Sequence, residues 1–317
     1  MTYDPIFLKP VFKDRIWGGT ALRTRFGYNI PSDETGECWA ISAHPNGQST
    51  VKNGPYAGMT LGQLWGEHRE LFGKRKDESF PLLVKIIDAN RDLSVQVHPD
   101  DVYARNHENG ERGKTECWYV IDCEEDSELV YGHRAESSEQ LKRMIDEGEW
   151  FRLLRKVKIK PGDFLYVPSG TVHALPAGSL ILETQQSSDT TYRVYDYDRT
   201  DEDGNRRELH LSKALDVIEV PHEDPVLDES VKTIGDTELT TLVKSQYFTV
   251  GRWKLNGKAT LDQDEDFLLV SILDGEGKIL ANGQDFPFEK GDHLILPSGL
   301  GTFDVEGKAV GITSHPE

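Results

Sequence analysis

The chain has 317 residues, with 36 Lys and Arg against 55 Asp and Glu and a formal net charge of −19 at pH 7. That length can bury a full core and fits two domains, and the acidic balance argues against nucleic acid or an anionic membrane surface as a partner, since both select a basic face. Cys38, Cys117 and Cys123 are the only three cysteines and form no CxxC pair, which points to a reducing compartment without a disulfide framework or zinc ribbon. A small anionic substrate stays allowed, because a few local Lys and Arg residues can hold it. The run 1–19 carries charges too early for a signal peptide, and the longest apolar runs are about strand length. A soluble, cytoplasmic protein is expected.

Residues 1–56 are rich in turns and include Trp17-Gly18-Gly19 and the partly alternating run GECWAISAHP at 36–45. The stretch 60–72 has Leu61, Leu64, Trp65, Leu71 and Phe72 on one helical face behind Thr60, a plausible N-cap. Next come two expected strands, 81–88 and 93–98, joined by a turn at 89–91, and two more at 115–122 and 129–131. A helical pattern covers 137–157, with a Glu-Gly-Glu interruption around Gly148. Strands follow at 179–186 and 191–197, a helix is expected at 207–217, and the acidic stretch 220–236 reads as a linker. From 240 onward all is strand and turn. The acidic runs 124–126 and 201–203 read as solvated loop tips.

Two stretches repeat. KPGDFLYVPSGTVHAL at 160–175 and EKGDHLILPSGLGTFD at 289–304 align Gly162-Asp163 with Gly291-Asp292 and Pro168-Ser169-Gly170 with Pro297-Ser298-Gly299, at an offset of 129 residues. Such an offset suits a duplicated domain. A turn, four strand residues, a second turn and a strand bearing His173 read as the closing hairpin of a small β-barrel with its histidine pointing inward. In the second copy Thr302 stands opposite His173, so one half looks chemical and the other structural. The expected organisation is mainly β: two barrels of jelly-roll type in tandem, with a small helical insertion at about 60–72 and 137–157. The first domain spans 1–222 and binds metal; the second spans 236–317 and has lost the ligands.

Gln96 and His98 share a strand face at i and i+2, as do Lys114 and Glu116. With His173 these supply two imidazoles, a carboxylate and an amide oxygen, a set suited to a borderline divalent cation such as zinc. The bland alternative for His98 is a turn residue before Pro-Asp. His44-Pro45 repeats that dipeptide without company and reads as structural, and the remaining histidines read as surface or packing residues.

Gly162, Pro168, Gly170 and His173 match the second cupin signature, G-x5-P-x-G-x2-H, and Gln96-Val97-His98 with Glu116 resembles a variant of the first. With Trp17-Gly18-Gly19, LSVQVHPDD, GKTECWYV and ETQQSSDTTYRVYDYDR, most of residues 15–200 resembles the type I phosphomannose isomerases in their short bacterial form. The large helical domain of the longer members is only partly represented, and Thr115 stands where they usually carry proline.

The resemblance implies an aldose-ketose isomerase acting on mannose 6-phosphate and fructose 6-phosphate, with one divalent ion, most often zinc, held by His98, Glu116, His173 and Gln96. It assigns Arg193 to catalysis and Lys85, Ser94, Lys114, Glu183 and Arg199 to substrate contact. Proton transfer between C2 and C1 needs a base, a counter-charge for the oxyanion and a grip on phosphate. Glu183, Asp189, Lys114 and a metal-bound hydroxide are all admissible as the base. Lys85, in an apolar strand, can also be an edge residue with its tip in solvent, and Ser94 a surface hydroxyl. Two rivals share the donor set: a metal-dependent oxygenase with a facial triad, and a cupin that binds a sugar phosphate without turnover. The first has no use for Lys85, Lys114 and Arg193; the retained Glu183 and Arg193 count against the second.

Overall fold

The computed structural model describes residues 3–200 and 204–317, so the acidic run 201–203 and the first two residues of the N-terminal run lie outside the described residues. Strand content dominates, in three sheets of nine, six and five strands. The six-stranded sheet runs, edge to edge, Phe164–Val167, Glu116–Asp122, Ser179–Gln186, Leu82–Ala89, Thr35–Ile41 and Val11–Gly19. The five-stranded sheet runs Tyr192–Tyr195, Val95–Val97, His173–Ala174, Glu128–His133 and Leu154–Lys158. All pairings between named strands are antiparallel.

The two closed barrels expected from the sequence are not found. Among the described residues no sheet closes on itself, and the smaller two meet through side chains and not through strand pairing: Trp17, Ile87, Trp118, Val120 and Ile181 of one share a core with Leu129 and Tyr131 of the other, and the Tyr131 hydroxyl donates to Tyr166 O. The expected closing hairpin explains the difference. Phe164–Val167 pairs with Glu116–Asp122, whereas His173–Ala174 pairs with Gln96 and with Tyr131 and Val130. The turn at Pro168 therefore carries the chain from one sheet to the other. Gly170 sits there at φ +85°, where a side chain's Cβ would also fall 2.9 Å from the Val217 carbonyl. The strands Leu82–Ala89 and Val95–Val97, neighbours in sequence, divide between the sheets in the same way.

The nine-stranded sheet contains the C-terminal strands, including the 16-residue strands Phe248–Gln263 and Gly301–Pro316. It also takes in the first strand of the chain: Ile6–Lys9 pairs with His293–Pro297, Ile6 lying opposite Ile295. The repeat is visible in the backbone. Gly162 and Gly291 have φ of +93° and +91°, and Asp163 and Asp292 each accept the amide three residues back, from Lys160 at 2.9 Å and Glu289 at 3.0 Å. After the second turn the copies part. His173 is fully buried, whereas Thr302 is exposed and bonded to Asp262.

Helices cover the outer faces. Leu61–Glu67 starts at a capping box in which Thr60 and Gln63 exchange hydrogen bonds. Its Trp65 joins Phe72, Phe80 and Phe267, tying this region to the nine-stranded sheet. The stretch 137–157 yields Ser138–Asp146 and Trp150–Leu153, broken at Gly148 (φ +67°), and then turns into the strand Leu154–Lys158. The helix expected from 207 begins later, at Leu211–Val217, and with Ser138–Asp146 it packs on the outer face of the five-stranded sheet. Two helices were not legible from the pattern, Ala21–Phe26 and Asp101–His107.

Candidate metal centre and sugar site

Strand alternation sorts the side chains of the six-stranded sheet. Cys117, Leu180, Leu182, Val84 and Ile86 face the core shared with the nine-stranded sheet. The opposite face looks toward the five-stranded sheet and carries Lys85, Glu183 and Trp118 in one cross-strand row, with Gln185 opposite Glu116 in the next. On the five-stranded sheet Gln96 lies opposite both His173 and Arg193. Cross-strand partners share a face, so Gln96, His173 and Arg193 point the same way.

His98 follows the strand Val95–Val97 and meets Glu116 and His173. His98 Nε2 is 3.5 Å from Glu116 Oε2, His173 Nε2 is 3.4 Å from Glu116 Oε1, and one candidate ligand atom from each of the three lies within 4.8 Å of the others. All three residues are 1% exposed or less. Backbone carbonyls set the imidazoles: His98 Nδ1–H donates to Thr190 O and His173 Nδ1–H to Thr171 O, each at 2.9 Å, leaving both Nε2 lone pairs directed at Glu116. Both Glu116 oxygens and His173 Nε2 are buried without a hydrogen-bond partner. Burial holds the His98 imidazole well below its usual pKa and lowers His173 to about 4, so both are neutral at pH 7. Two neutral imidazoles and a carboxylate whose buried lone pairs converge, those of Glu116 and His173 Nε2 without a hydrogen-bond partner among the described residues, fit a divalent metal ion.

The segment carrying Lys114 and Glu116 is braced from outside. Thr115 N–H donates to Gln186 Oε1 at 2.9 Å, Gln186 Nε2 donates to Asp101 Oδ1 at 3.1 Å, and Gly113 N–H donates to the same oxygen at 2.8 Å. Lys114 Nζ lies 2.6 Å from Glu116 Oε2 and donates to His98 Nε2 at 3.1 Å. Burial opposes its charge, but Glu116 and Glu183 more than offset this and raise its pKa, so Lys114 stays an ammonium. Lys85 is buried on a strand with neighbours on both sides and lies 3.5 Å from Glu183 Oε2, which excludes the edge-residue reading. Trp118 Nε1 donates to Glu183 Oε1 at 3.2 Å, leaving Oε2 unbonded.

The other expected residues lie further out. Ser94 is buried just ahead of Val95–Val97, two residues from Gln96. Arg193 donates through Nη1 to Glu208 O at 2.7 Å and keeps a buried Nε without a partner; burial, then Arg207 and Arg199, lower its pKa. The structure brings Arg199 to Asp196 and not to the three-residue cluster, and Arg207 grips the same carboxylate at 2.8 Å. Asp189 stands at the exposed rim and accepts from Asn46 at 2.9 Å. His44 is buried, its Nδ1 accepting from Asn46 N at 3.2 Å.

Sequence reasoning missed Gln185, Gln186, Asp101 and Trp118. Trp118 and Gln185 had a readable signal, since each sits two residues along a strand from Glu116 or Glu183. The bracing by Asp101 and the carbonyls of Thr171 and Thr190 had none, because it depends on the fold.

Residues 6–129 match the catalytic domain of type I phosphomannose isomerase, and residues 238–316 match the cupin domain of mannose-6-phosphate isomerase. The chain is 59% identical over 315 residues to mannose-6-phosphate isomerase ManA of Bacillus subtilis, covering 99% of this chain and 100% of that one. It is 52% identical to mannose-6-phosphate isomerase of Streptococcus mutans, covering 98% of each. A solved mannose 6-phosphate isomerase from Bacillus subtilis superposes with a TM-score of 0.97 at 56% identity, over 99% of this chain and 100% of that one. A phosphomannose isomerase variant from Salmonella typhimurium shares the fold at a TM-score of 0.79 and 14% identity, over 99% and 100% of the two chains. With relatives this similar along nearly its whole length, the chain belongs to the type I mannose-6-phosphate isomerase family.

Proposed function

We propose that the protein interconverts mannose 6-phosphate and fructose 6-phosphate, an intramolecular oxidation–reduction at C1 and C2 through an enediol. The observation that carries this reading is the buried, convergent cluster of His98, Glu116 and His173, in which both Glu116 oxygens and His173 Nε2 have no hydrogen-bond partner among the described residues, flanked on the same side by Lys114, Lys85 and Glu183. These residues, with Gln96 as a fourth donor, would hold the metal, and the N,N,O donor set favours zinc. When bound, such an ion polarises the sugar carbonyl as a Lewis acid.

Glu183, whose Oε2 is buried and unbonded, is the carboxylate we assign to the proton. It takes the proton from C2 as that C–H electron pair forms the C1–C2 double bond and the C1 carbonyl π pair moves onto O1; a proton passes from O2 to O1, the O2 electron pair closes the C2 carbonyl, and the C1–C2 π pair takes the proton back from Glu183 at C1. Arg193 offsets the negative charge that develops on the sugar oxygen. Lys85 and Lys114 supply positive charge inside the site; Ser94 and Arg199 complete the substrate contacts toward the phosphate. Residues 1–222 form the catalytic part and 236–317 a supporting part without ligands. The three free cysteines, two of them buried, agree with work in the reducing cytoplasm.

A coupled assay for fructose 6-phosphate, run before and after chelation and after return of zinc, cobalt or manganese, tests this directly. Activity lost on chelation and restored by metal is expected. A protein that retains its metal and binds the sugar phosphate without turnover would overturn the isomerase reading. Oxygen uptake with Fe(II) would put an oxygenase in its place.

A further inference from the structure

Gln185 is fully buried and has one side-chain atom without a hydrogen-bond partner among the described residues. Its Nε2 donates to two backbone carbonyls, Gln186 O at 2.8 Å and Ser188 O at 2.6 Å, and this fixes which end of the amide is which. A flipped amide would set its oxygen against both carbonyls. The oxygen Oε1 is left without a hydrogen bond. Register puts Gln185 directly across from Glu116 and two residues along the same strand from Glu183, so all three lie on the face turned to the metal centre. The unbonded buried atoms on this face are all acceptors: both Glu116 oxygens, Glu183 Oε2 and Gln185 Oε1.

An unpaired buried acceptor is costly, by about 1–3 kcal/mol. The Glu116 oxygens face the metal position and Lys114, and Glu183 Oε2 faces Lys85 Nζ at 3.5 Å, so Gln185 Oε1 is the acceptor that still calls for a ligand arriving with a donor. Glu183 and Gln185 are spaced by roughly 7 Å along the strand, about the reach of a few carbons of an extended polyol. Resting on the sugar-phosphate reading above, we propose that Gln185 Oε1 accepts a hydrogen bond from a hydroxyl at C3 or C4 of the bound sugar. It is thereby a specificity-determining residue for the chain beyond the reacting carbons. C3 and C4 keep their hydroxyls throughout the isomerisation, so the contact persists from substrate to product and acts on binding more than on turnover.

The test is a substrate–mutant cycle on the zinc-loaded protein. Binding of mannose 6-phosphate and of its 3-deoxy and 4-deoxy analogues is measured by calorimetry, with KM and kcat alongside. The wild-type protein is expected to bind one of the two analogues about tenfold or more weakly than mannose 6-phosphate, the size of one lost buried hydrogen bond. Gln185→Met should bind mannose 6-phosphate weaker by a similar factor. It should no longer discriminate against that one analogue, and kcat should change much less than KM.

A purely structural Gln185 would weaken all three sugars equally, leaving discrimination intact, and that result overturns the proposal. So does a wild-type protein that binds both analogues as well as mannose 6-phosphate. If Gln185→Met does not fold, the same cycle is run with Gln185→Leu, which also lacks the acceptor. Because binding is read separately from turnover, a protein that binds with the expected discrimination but does not isomerise would refute the activity while upholding the contact.

Discussion

Tyr28 and His293, 265 residues apart, are joined by a 2.9 Å contact between hydroxyl and Nε2. The Tyr28 hydroxyl spends its one proton on Gly291 O at 2.8 Å, so His293 Nε2–H must donate to it, and His293 Nδ1 must accept from Ser271 Oγ at 2.9 Å. The proton positions along this buried chain follow from counting donors. Tyr28→Phe leaves the Gly291 carbonyl and the His293 N–H unpaired and should cost about 1–3 kcal/mol. Urea unfolding checks the loss, and metal content should not change, since the metal ligands lie elsewhere.

The same histidine makes stability depend on pH. Burial lowers His293 to about 4 from an ordinary 6.5. Above 6.5 neither the folded nor the unfolded form binds this proton, and its contribution is flat. Between 6.5 and about 4 the unfolded chain takes up a proton that the folded protein refuses, so stability falls with pH, by at most about 3 kcal/mol. In His293→Gln that part of the slope should vanish when unfolding free energies are compared from pH 7 to pH 4.

Asp196 makes an independent acid-labile contribution. Burial alone would raise its carboxyl, but hydrogen bonds from Arg207 and Arg199, with their charges, hold it below the usual carboxylate range. Its stabilisation is complete above about pH 4, the unfolded value, and is lost as pH falls through the lower folded value. Asp196→Asn should be less stable than wild type by about 1–3 kcal/mol at pH 7. The gap should narrow toward pH 2, as read from denaturant midpoints.

The two halves of the repeat give a paired test. His173→Ala should weaken zinc binding by more than about 100-fold, since even the outer hydrogen bonds of a ligand set contribute 10- to 100-fold. Thr302→Ala, at the matching position, should retain full metal content by atomic absorption. Equal loss in both variants would remove the distinction between the halves.

Lys114 sets a fifth expectation. Its ammonium, 2.6 Å from Glu116, stabilises the metal-free carboxylate but repels an incoming cation. Lys114→Met should lower the thermal stability of the chelated protein by about 3–5 kcal/mol, because the buried Glu116 loses its partner. It should also bind zinc about tenfold more tightly, with thermal stability recovered on metal addition and kcat/KM reduced. Calorimetry of zinc binding and melting curves in chelator and in zinc read all three effects.

Local chemistry was legible in the sequence; strand partnership was not. The turns at Gly162-Asp163 and Gly291-Asp292 announce themselves because left-handed backbone favours glycine and the aspartate closes its own turn. The Thr60 helix start was readable from its capping residues. The strand Ser179–Gln186 was placed to the residue, and His98, Glu116 and His173 could be singled out by residue type and spacing. What failed was the path from strands to sheets. Phe164–Val167 and His173 stand a turn apart, the spacing of a hairpin, yet each finds a better partner in a different sheet. Gln185 was readable only as a neighbour two residues along the strand from Glu183; its unbonded oxygen, which depends on the fold, gives it meaning. The pairing of Arg199 with Asp196 was not legible, because nothing in the spacing marks that aspartate as its partner.

The pairing of Ile6–Lys9 with His293–Pro297 imposes an order of events on the ribosome. Ile6 emerges first and must wait for Ile295, an interval of roughly 15–60 s at ordinary rates of synthesis. During that time the leading strand has an open hydrogen-bonding edge, and the six- and five-stranded sheets can assemble without it. The nine-stranded sheet is thus completed by a strand made long before its partner, a long-range pairing of the kind that slows folding.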